Sequence, residues 1–200
     1  MDKIFRPISN LFKKTTIKSK SIFTKNGTGL KLQSVIKNSY NPADTIGDFV
    51  RDKDLSGKRS QVYVNPETNQ LLYSIAGTRS GTDVLNDARA IGGGLKNTQR
   101  YKHADQVLKS AKDRYPDYET TLVGHSLAGA IASRISSPND RTFTYNSANL
   151  LGRDRDNVVA IRNRNDIVSV LGKDSSVNFG GVLDLNSHSS NRLLKENVFI

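Results

Sequence analysis

A serine between small residues is the feature of this sequence with the clearest chemical use. Ser126 is the centre of the segment G-H-S-L-A-G (residues 124–129), which follows a short β-branched and apolar run at residues 120–123. The run predicts a buried strand, and the residues after the serine predict a helix. At such a sharp strand-to-helix turn the serine hydroxyl is lifted above the sheet, as a nucleophile requires. The small residues that let strand and helix approach closely are Gly124, Ala128 and Gly129.

The same turn offers a place for negative charge. The first amides of a helix point their hydrogens outward, so the amide of Leu127 can stabilise the oxyanion that forms when a serine attacks a carbonyl carbon. The segment alone does not decide its role, because a serine that only caps the helix fits the same letters. Other residues must distinguish a nucleophilic Ser126 from a capping one.

The composition excludes several kinds of site. The sequence has no cysteine, which rules out disulfides and thiolate metal ligands. It has three histidines, so a histidine-rich metal centre is not expected. No apolar run reaches the length of a membrane span, and the first residues lack the pattern of a classical secretory signal. We therefore expect no metal and no organic cofactor, and a protein that is cytoplasmic or membrane-peripheral.

Positive charge is concentrated in residues 1–40. The formal net charge is +11, and this stretch contributes nine Lys/Arg against one Asp. Several of its apolar residues fall on one helical face: Ile4, Ile8, Leu11 and Phe12. We predict a basic, partly amphipathic N-terminal arm at residues 1–40, whose residues 1–25 suit an anionic membrane surface better than nucleic acid. A solubilising tail, or a segment that packs its apolar stripe on its own domain, is favoured over either binding role, because terminal arms are commonly disordered.

Strands and helices alternate in the rest of the chain. Residues 41–50 predict a short helix, and runs at residues 61–64 and 71–75, on either side of an Asn-Pro turn, predict a hairpin. The remaining periodic segments predict a helix at residues 98–114 and strands at residues 141–145 and 158–161. This alternation indicates an α/β domain over residues 41–200, with a mostly parallel central sheet flanked by helices.

A serine nucleophile needs a base and an acidic group that orients the base. In α/β-hydrolases these groups follow the serine in the order acid, then histidine. Asp166 follows the strand at residues 158–161 and His188 is the last histidine, so both fit that order. Thr78 follows the strand at residues 71–75 and is the candidate for a second oxyanion amide. The alternative roles are a turn aspartate, a surface histidine and a turn threonine.

Four blocks of the sequence together resemble the class 3 lipases, an α/β-hydrolase family of triacylglycerol lipases, phospholipases and feruloyl esterases. The segment I-A-G-T-R-S (residues 75–80) resembles the family's F-R-G-[ST] oxyanion loop. Residues 115–130 are similar to its Y-P-x-Y and G-H-S-L-G-G-A block. Residues 165–168 look like its D-I-V-P block, and His188 stands where its final histidine is found. The joint match is far more specific than any one motif.

The departures from the family pattern concern supporting positions. Ala76 replaces the arginine that precedes the glycine of the oxyanion loop, which predicts that a supporting contact is missing. Ala128 replaces a glycine but is still small, and Ser169 stands where a proline is common. The short spacing between Asp166 and His188 implies a pared-down sheet. None of these departures removes a catalytic group.

The resemblance implies a serine carboxylic-ester hydrolase that acts on lipid esters, as a lipase or phospholipase, through an acyl-enzyme. Ser126 is then the nucleophile, His188 its base and Asp166 the orienting acid, while Thr78 and Leu127 supply the oxyanion amides. Two alternatives stay open. One is a catalytically silent module of the hydrolase fold that binds anionic membrane or nucleic acid through the basic arm. The other is a thioesterase or acyltransferase that uses the same serine.

Overall fold

A single eight-stranded sheet organises the part of the chain that the structure describes. The computed structural model describes residues 27–78, 94–147, 155–163, 176–179 and 198–200. The strands within these ranges lie side by side in chain order. Their bounds are β1 (Thr45–Ile46), β2 (Phe49–Asp52), β3 (Ser60–Asn65), β4 (Gln70–Ile75), β5 (Glu119–His125), β6 (Arg141–Tyr145), β7 (Val158–Asn163) and β8 (Ser176–Phe179).

The direction of pairing changes at β4. The strands β1 to β4 form an antiparallel meander, whereas β4 to β8 pair in parallel. Adjacent parallel strands need a crossover connection, and helices lie in the connections on both sides of β5. The carboxyl ends of β4 to β8 therefore meet at one edge of the sheet. In open α/β sheets this is the edge at which ligands bind.

Helices cover both faces of the sheet. In the described ranges they are α1 (Leu32–Tyr40), α2 (Gln99–Arg114) and α3 (Leu127–Ile135), with a 3-10 turn at Leu95–Asn97 before α2. α1 packs on one face, with Leu72 of β4 and Val123 of β5. α2 and α3 pack on the other, with the alternate residues Tyr73 and Leu122. The central strands are thus buried on both faces, and the predicted α/β fold is confirmed.

α2 matches its prediction from the sequence. Its N-cap is Thr98, whose Oγ1 accepts a hydrogen bond from the amide of Tyr101 at 3.2 Å. Its buried residues recur at the helical period: Ala104, Leu108 and Ala111. None of the helices in the described ranges combines the length and the apolar character that a membrane-spanning segment needs.

The last part of the predicted N-terminal arm packs into the folded domain. Residues 32–40 form α1, and its residues Leu32, Val35 and Ile36 are at most 1% exposed in the core. The folded domain therefore begins before the predicted boundary. The two lysines in and beside α1 are exposed, so the charge count did not separate this helix from the arm. The rest of the predicted arm, residues 1–26, lies outside the described residues.

The prediction of a helix at residues 41–50 is wrong, because β1 and β2 form a hairpin over residues 45–52. Ile46 of β1 pairs with Phe49 of β2 across the two-residue turn Gly47-Asp48. Gly47 has a φ of +57°, a left-handed conformation that glycine adopts without strain. Both apolar residues are buried, but as neighbours across the strands rather than on one face of a helix. Glycine at the first position of a two-residue turn is a hairpin signal that outweighs the helix-like spacing.

A buried carboxylate joins the meander to the end of α2. Asp52 accepts hydrogen bonds from the amide of Leu55 at 3.1 Å, from Arg114 at 2.9 Å and from the Tyr115 hydroxyl at 2.9 Å. Its side chain is 6% exposed. Burial by itself raises the pKa of Asp52. The hydrogen bonds from Leu55, Tyr115 and Arg114 together outweigh burial, so the pKa of Asp52 is lowered from its usual value.

Replacement of Ile36 by alanine tests whether α1 belongs to the folded domain. A buried isoleucine that is cut to alanine lowers the unfolding free energy by about 2–5 kcal/mol, and we expect a loss of this size in urea titrations. The exposed neighbour provides the matched control, since Lys37→Ala should change the unfolding free energy by less than about 0.5 kcal/mol. If both substitutions change the unfolding free energy by the same small amount, residues 32–40 do not pack on the domain.

Replacement of Asp52 by asparagine should destabilise the protein in a pH-dependent way. At about pH 7 we expect a loss of about 1–3 kcal/mol, because the charged acceptor is removed from four donors, the fourth of which is the amide of Asp54 at 3.0 Å. The lowered pKa means that this stabilisation is present above the unfolded-state pKa, near 4, and is lost as the pH falls through the folded-state pKa. The stability difference between wild type and Asp52→Asn should therefore narrow on acidification, in urea titrations at a series of pH values.

The control for this experiment is Asp54→Asn. Asp54 is 83% exposed and lies 3.4 Å from the same Arg114, so its replacement should change stability by less than about 0.5 kcal/mol at any pH. A stability difference for Asp52→Asn that stays constant with pH would contradict the assignment of the effect to the ionised carboxylate.

Candidate active site

Ser126 alone forms the turn between β5 and α3. Its backbone has φ 58° and ψ −128°, a combination that costs a non-glycine residue about 1–3 kcal/mol. Its side chain makes no capping hydrogen bond to the first turn of α3. The amide of Ser126 donates to the carbonyl oxygen of Tyr145 at 3.0 Å, which attaches the turn to β6. This geometry differs from an ordinary N-cap, which has an extended backbone and a bonded side chain.

The close approach of β5 and α3 explains why small residues surround the turn. A Cβ atom on Gly124 would collide with the backbone of Ala128. A Cβ atom on Gly129 would lie 2.9 Å from the Cβ of Ser147 in the chain after β6. Ala128 itself is fully buried. The residues singled out by the sequence pattern therefore occupy positions where larger side chains do not fit.

The far end of α3 is fixed by the chain that leads into β7. The guanidinium of Arg155 donates to the carbonyl oxygens of Ser133 at 2.6 Å and Ser136 at 3.0 Å. The side chain of Asn157 donates to the carbonyl oxygen of Ser137 at 2.8 Å. A positive charge at a helix C-terminus also interacts favourably with the helix dipole. These contacts hold α3, and with it the turn at its start, on the sheet.

The loop after β4 lies beside the Ser126 turn. β4 and β5 pair in parallel, so Gly77 and Thr78 extend past the same edge as Ser126. A Cβ atom on Gly77 would lie 2.6 Å from the carbonyl oxygen of His125 and 2.6 Å from the hydroxyl oxygen of Tyr40. Only glycine allows the loop to come this close to the strand. Thr78 follows directly, which brings the predicted oxyanion residue next to the turn.

A guanidinium group holds this loop from α2. Arg100, in the first turn of α2, donates to the carbonyl oxygen of Ala76 and, at 3.1 Å, to Oγ1 of Thr78. From the side of β3, the carbonyl oxygen of Arg59 accepts a hydrogen bond from the amide of Ala76 at 2.9 Å. The sequence predicted that a supporting contact is missing at Ala76. Ala76 has no side chain that could make this contact, and in this structure Arg100 of α2 supports the loop instead.

His125 is buried behind the turn, where it connects β5 to α1. It is 3% exposed, and its Nδ1 lies 2.8 Å from the hydroxyl oxygen of Tyr40, the last residue of α1. Its ring stacks on Tyr145 of β6 with the ring centroids 5.6 Å apart. A hydrogen bond to one ring nitrogen fixes the orientation of an imidazole. These contacts give His125 a structural place beside Ser126.

Two predicted triad residues, Asp166 and His188, lie outside the described residues. β7, the strand that precedes Asp166, pairs in parallel with β6, and β6 pairs in parallel with β5. The strand before Asp166 therefore ends at the same sheet edge as Ser126. Within the described ranges, no group of three or more His, Cys, Asp or Glu side chains is arranged to hold a metal ion.

Sequence reasoning did not identify three supporting residues. Tyr40 had no local signal, because its contact depends on where α1 docks. For Tyr145 the sequence indicated only a buried position in a strand, and not its contact with His125. Arg100 did carry a signal, since a positive charge in the first turn of a helix opposes the helix dipole and needs a compensating contact. The first turn of α2 contains no acidic residue.

Comparison with solved structures gives matches to fungal lipases. The Lip2 lipase from Yarrowia lipolytica aligns with a TM-score of 0.52 and 17% identity, over 74% of this chain and 76% of the lipase. A Rhizomucor miehei lipase propeptide complex that carries a two-residue deletion aligns with a TM-score of 0.51 and 15% identity, over 74% of this chain and 65% of that chain. At these identities the matches show a common fold. Comparison with curated protein sequences gives no significant match.

The sequence also matches a family profile over residues 27–177, about three quarters of the chain. The profile is described as phospholipase-like, a Tle-like phospholipase domain. The matched range begins before α1, contains the Ser126 turn and reaches β8, so it includes the elements around the site. Together with the lipase folds, it confirms the predicted resemblance to lipases. The chain belongs to the family of Tle-like phospholipase domains.

Proposed function

We propose that this protein is a serine hydrolase that cleaves carboxylic ester bonds of lipids, phospholipids in particular, through an acyl-enzyme intermediate. Membership of a phospholipase-like family supports lipid ester hydrolysis at the general level. The observation that carries the finer proposal is the backbone of Ser126, with its positive φ at the carboxyl end of β5. Fold alone does not assign an activity, so the argument depends on this turn and its neighbours.

The conformation of Ser126 favours a chemical role over a structural one. A strained backbone persists only where its surroundings enforce it, and the contacts at Gly124 and Gly129 do so. A serine that served only to cap α3 would not need this strain, and its side chain makes no cap. Strain of this kind at a strand-to-helix turn is the geometry that presents a nucleophilic hydroxyl at the sheet edge.

The first half of the proposed reaction forms the acyl-enzyme. Oγ of Ser126 attacks the ester carbonyl carbon while its proton passes to His188, and Asp166 holds the imidazole of His188 in the required tautomer. The carbonyl oxygen becomes an oxyanion, which accepts hydrogen bonds from the amides of Leu127 and Thr78. When the oxyanion collapses, the bond to the alcohol breaks and His188 returns the proton to the departing alcohol.

The second half of the reaction regenerates the serine. A water molecule attacks the acyl group on Ser126 as His188 accepts a proton from that water. Collapse of the second oxyanion breaks the bond to Oγ, which recovers its proton from His188. The products are a fatty acid and the alcohol, which for a phospholipid is a lysophospholipid.

Replacement of Ser126 by alanine should abolish hydrolysis and covalent labelling together. Loss of the nucleophile from a serine triad lowers kcat on the order of 10⁶-fold. We expect wild type to release fatty acid from phosphatidylcholine vesicles and to react with a fluorophosphonate probe, while Ser126→Ala does neither. His188→Ala should behave like Ser126→Ala, and Asp166→Asn should lower kcat on the order of 10⁴-fold.

The matched control is Ser133→Ala, a second serine of α3, whose hydroxyl bonds to the carbonyl oxygen of Gly129 at 2.9 Å. It should keep wild-type labelling and turnover. Failure of the wild type to label or to hydrolyse, with an intact far-UV circular dichroism spectrum, would favour the catalytically silent module. Faster turnover of an acyl thioester than of a phospholipid, or transfer of the acyl group to an added alcohol, would favour the thioesterase or acyltransferase.

We also propose that the basic segment at residues 1–25 binds the protein to an anionic membrane surface. Its cluster of lysines and arginines suits an anionic phospholipid headgroup, and each such residue near an anionic surface contributes about 1 kcal/mol at low salt. Sedimentation of Ser126→Ala with vesicles should therefore be stronger for phosphatidylserine-containing vesicles than for pure phosphatidylcholine. The difference should fall as the salt concentration rises from about 0.05 M to about 0.5 M. Equal binding to both vesicles at low salt would contradict an electrostatic attachment.

A further inference from the structure

We propose that Arg100 is the positioning residue of the oxyanion loop, defined as residues 76–78. The inference rests on the proposed function, because it concerns how the Thr78 amide is held for catalysis. Arg100 contacts the loop at both ends: one guanidinium nitrogen donates to the carbonyl oxygen of Ala76 and the other to Oγ1 of Thr78. The two hydrogen bonds bracket Gly77 and thereby restrain the peptide planes on either side of it.

The loop needs a restraint from outside because its centre is glycine. Gly77 cannot be replaced, since the carbonyl oxygen of His125 and the hydroxyl of Tyr40 occupy the space of a side chain. Glycine has more backbone freedom than any other residue, so the segment is poorly suited to fix an amide direction by itself. An amide that stabilises an oxyanion acts only when its hydrogen is already directed at the place where the charge develops.

Arg100 itself is held on a rigid element. It lies in the first turn of α2, two residues after the N-cap Thr98. The helix is attached to β4, the strand that carries the loop, because the hydroxyl of Tyr73 donates to the carbonyl oxygen of Ala104 at 3.2 Å. Residues on helices and strands fix a site more accurately than residues on loops. The guanidinium group thus fixes the position of the loop relative to α2.

The bond to Thr78 has a second effect on the site. Oγ1 of Thr78 accepts a charge-assisted hydrogen bond from Arg100, which is stronger than a hydrogen bond between neutral groups. Arg100 therefore restrains the Thr78 side chain as well as the backbone that sets the direction of the Thr78 amide.

The test compares Arg100→Met and Arg100→Lys with Lys102→Met, an exposed lysine two residues further along the same helix. Turnover is expressed per active site titrated with a fluorophosphonate probe, which removes misfolded protein from the comparison. Loss of one oxyanion donor lowers kcat about 10²–10³-fold. We expect a misdirected donor in Arg100→Met to lower kcat about 10–100-fold with KM within about threefold. Arg100→Lys should recover part of the loss and Lys102→Met should match wild type.

A double-mutant cycle separates positioning from a general loss of structure. If Arg100 acts through Thr78, the effect on kcat of Arg100→Met combined with Thr78→Val is smaller than the product of the two single effects. Unchanged kcat per titrated site in Arg100→Met, a rise in KM alone, or fully multiplicative effects in the cycle would each overturn the inference.

Hydrogen–deuterium exchange distinguishes failure of this inference from failure of the proposed function. In a Ser126→Ala background, the amides of residues 76–78 should exchange faster in Arg100→Met than in Lys102→Met. If wild type neither hydrolyses esters nor labels, the proposed function fails, and exchange then decides whether Arg100 restrains the loop. Equal exchange in the two variants would overturn the restraint, whether or not the protein is an enzyme.

Discussion

The close approach of β5 and α3 is the constraint on which the site depends. The backbone must pass from a buried strand into a helix through one residue, and that residue, Ser126, takes a conformation that is unfavourable for any side chain. The turn is possible because Gly124 and Gly129 have no side chains at the points of contact. The free energy gained when β5 and α3 are buried against each other has to exceed the cost of the strained backbone at Ser126. A Cβ atom at Gly124 would force the strand and helix apart, and a Cβ atom at Gly129 would push α3 away from Ser147 in the chain after β6.

The neighbouring elements are arranged to keep this turn in place. On one face, the last residue of α1 bonds to His125, directly before the serine. On the other face, α2 holds the adjacent loop through Arg100, and Arg155 fixes the far end of α3. β6 receives the amide of Ser126 itself. The polar contacts around the site therefore come from elements that are far apart in sequence. Those of Tyr40, Arg100 and Tyr145 lie at the edge where β4 to β8 end, and those of Arg155 hold α3 from its other end. A site of this kind depends on the completed fold rather than on a single segment.

The sequence predicted those features that depend on local pattern. The hairpin of β3 and β4, the helix α2 and the turn at Ser126 follow from periodicity, a turn sequence and small-residue spacing, and the structure contains them. The helix predicted at residues 41–50 was wrong because a Gly-Asp turn outweighed helix-like spacing. α1 was assigned to the arm because its exposed lysines resemble those before it, and only tertiary packing shows that its other face is buried. The contact of Tyr40 could not be predicted, and the charge of Arg100 indicated only that a compensating contact was needed. Both residues link segments whose separation in space depends on the sheet order.

The position of α1 at the start of the domain has a consequence for synthesis. Its apolar face, which includes Val35, packs on Val123 of β5, and that strand lies about 90 residues later in the chain. At a synthesis rate of about 5–20 residues per second, roughly 4–20 seconds pass between the synthesis of α1 and the synthesis of β5. During that interval an apolar stripe is exposed on a nascent chain, where it can associate with other chains. Lys31 and Lys37, which stay on the exposed side of the finished domain, then act as charged neighbours that oppose aggregation of the stripe.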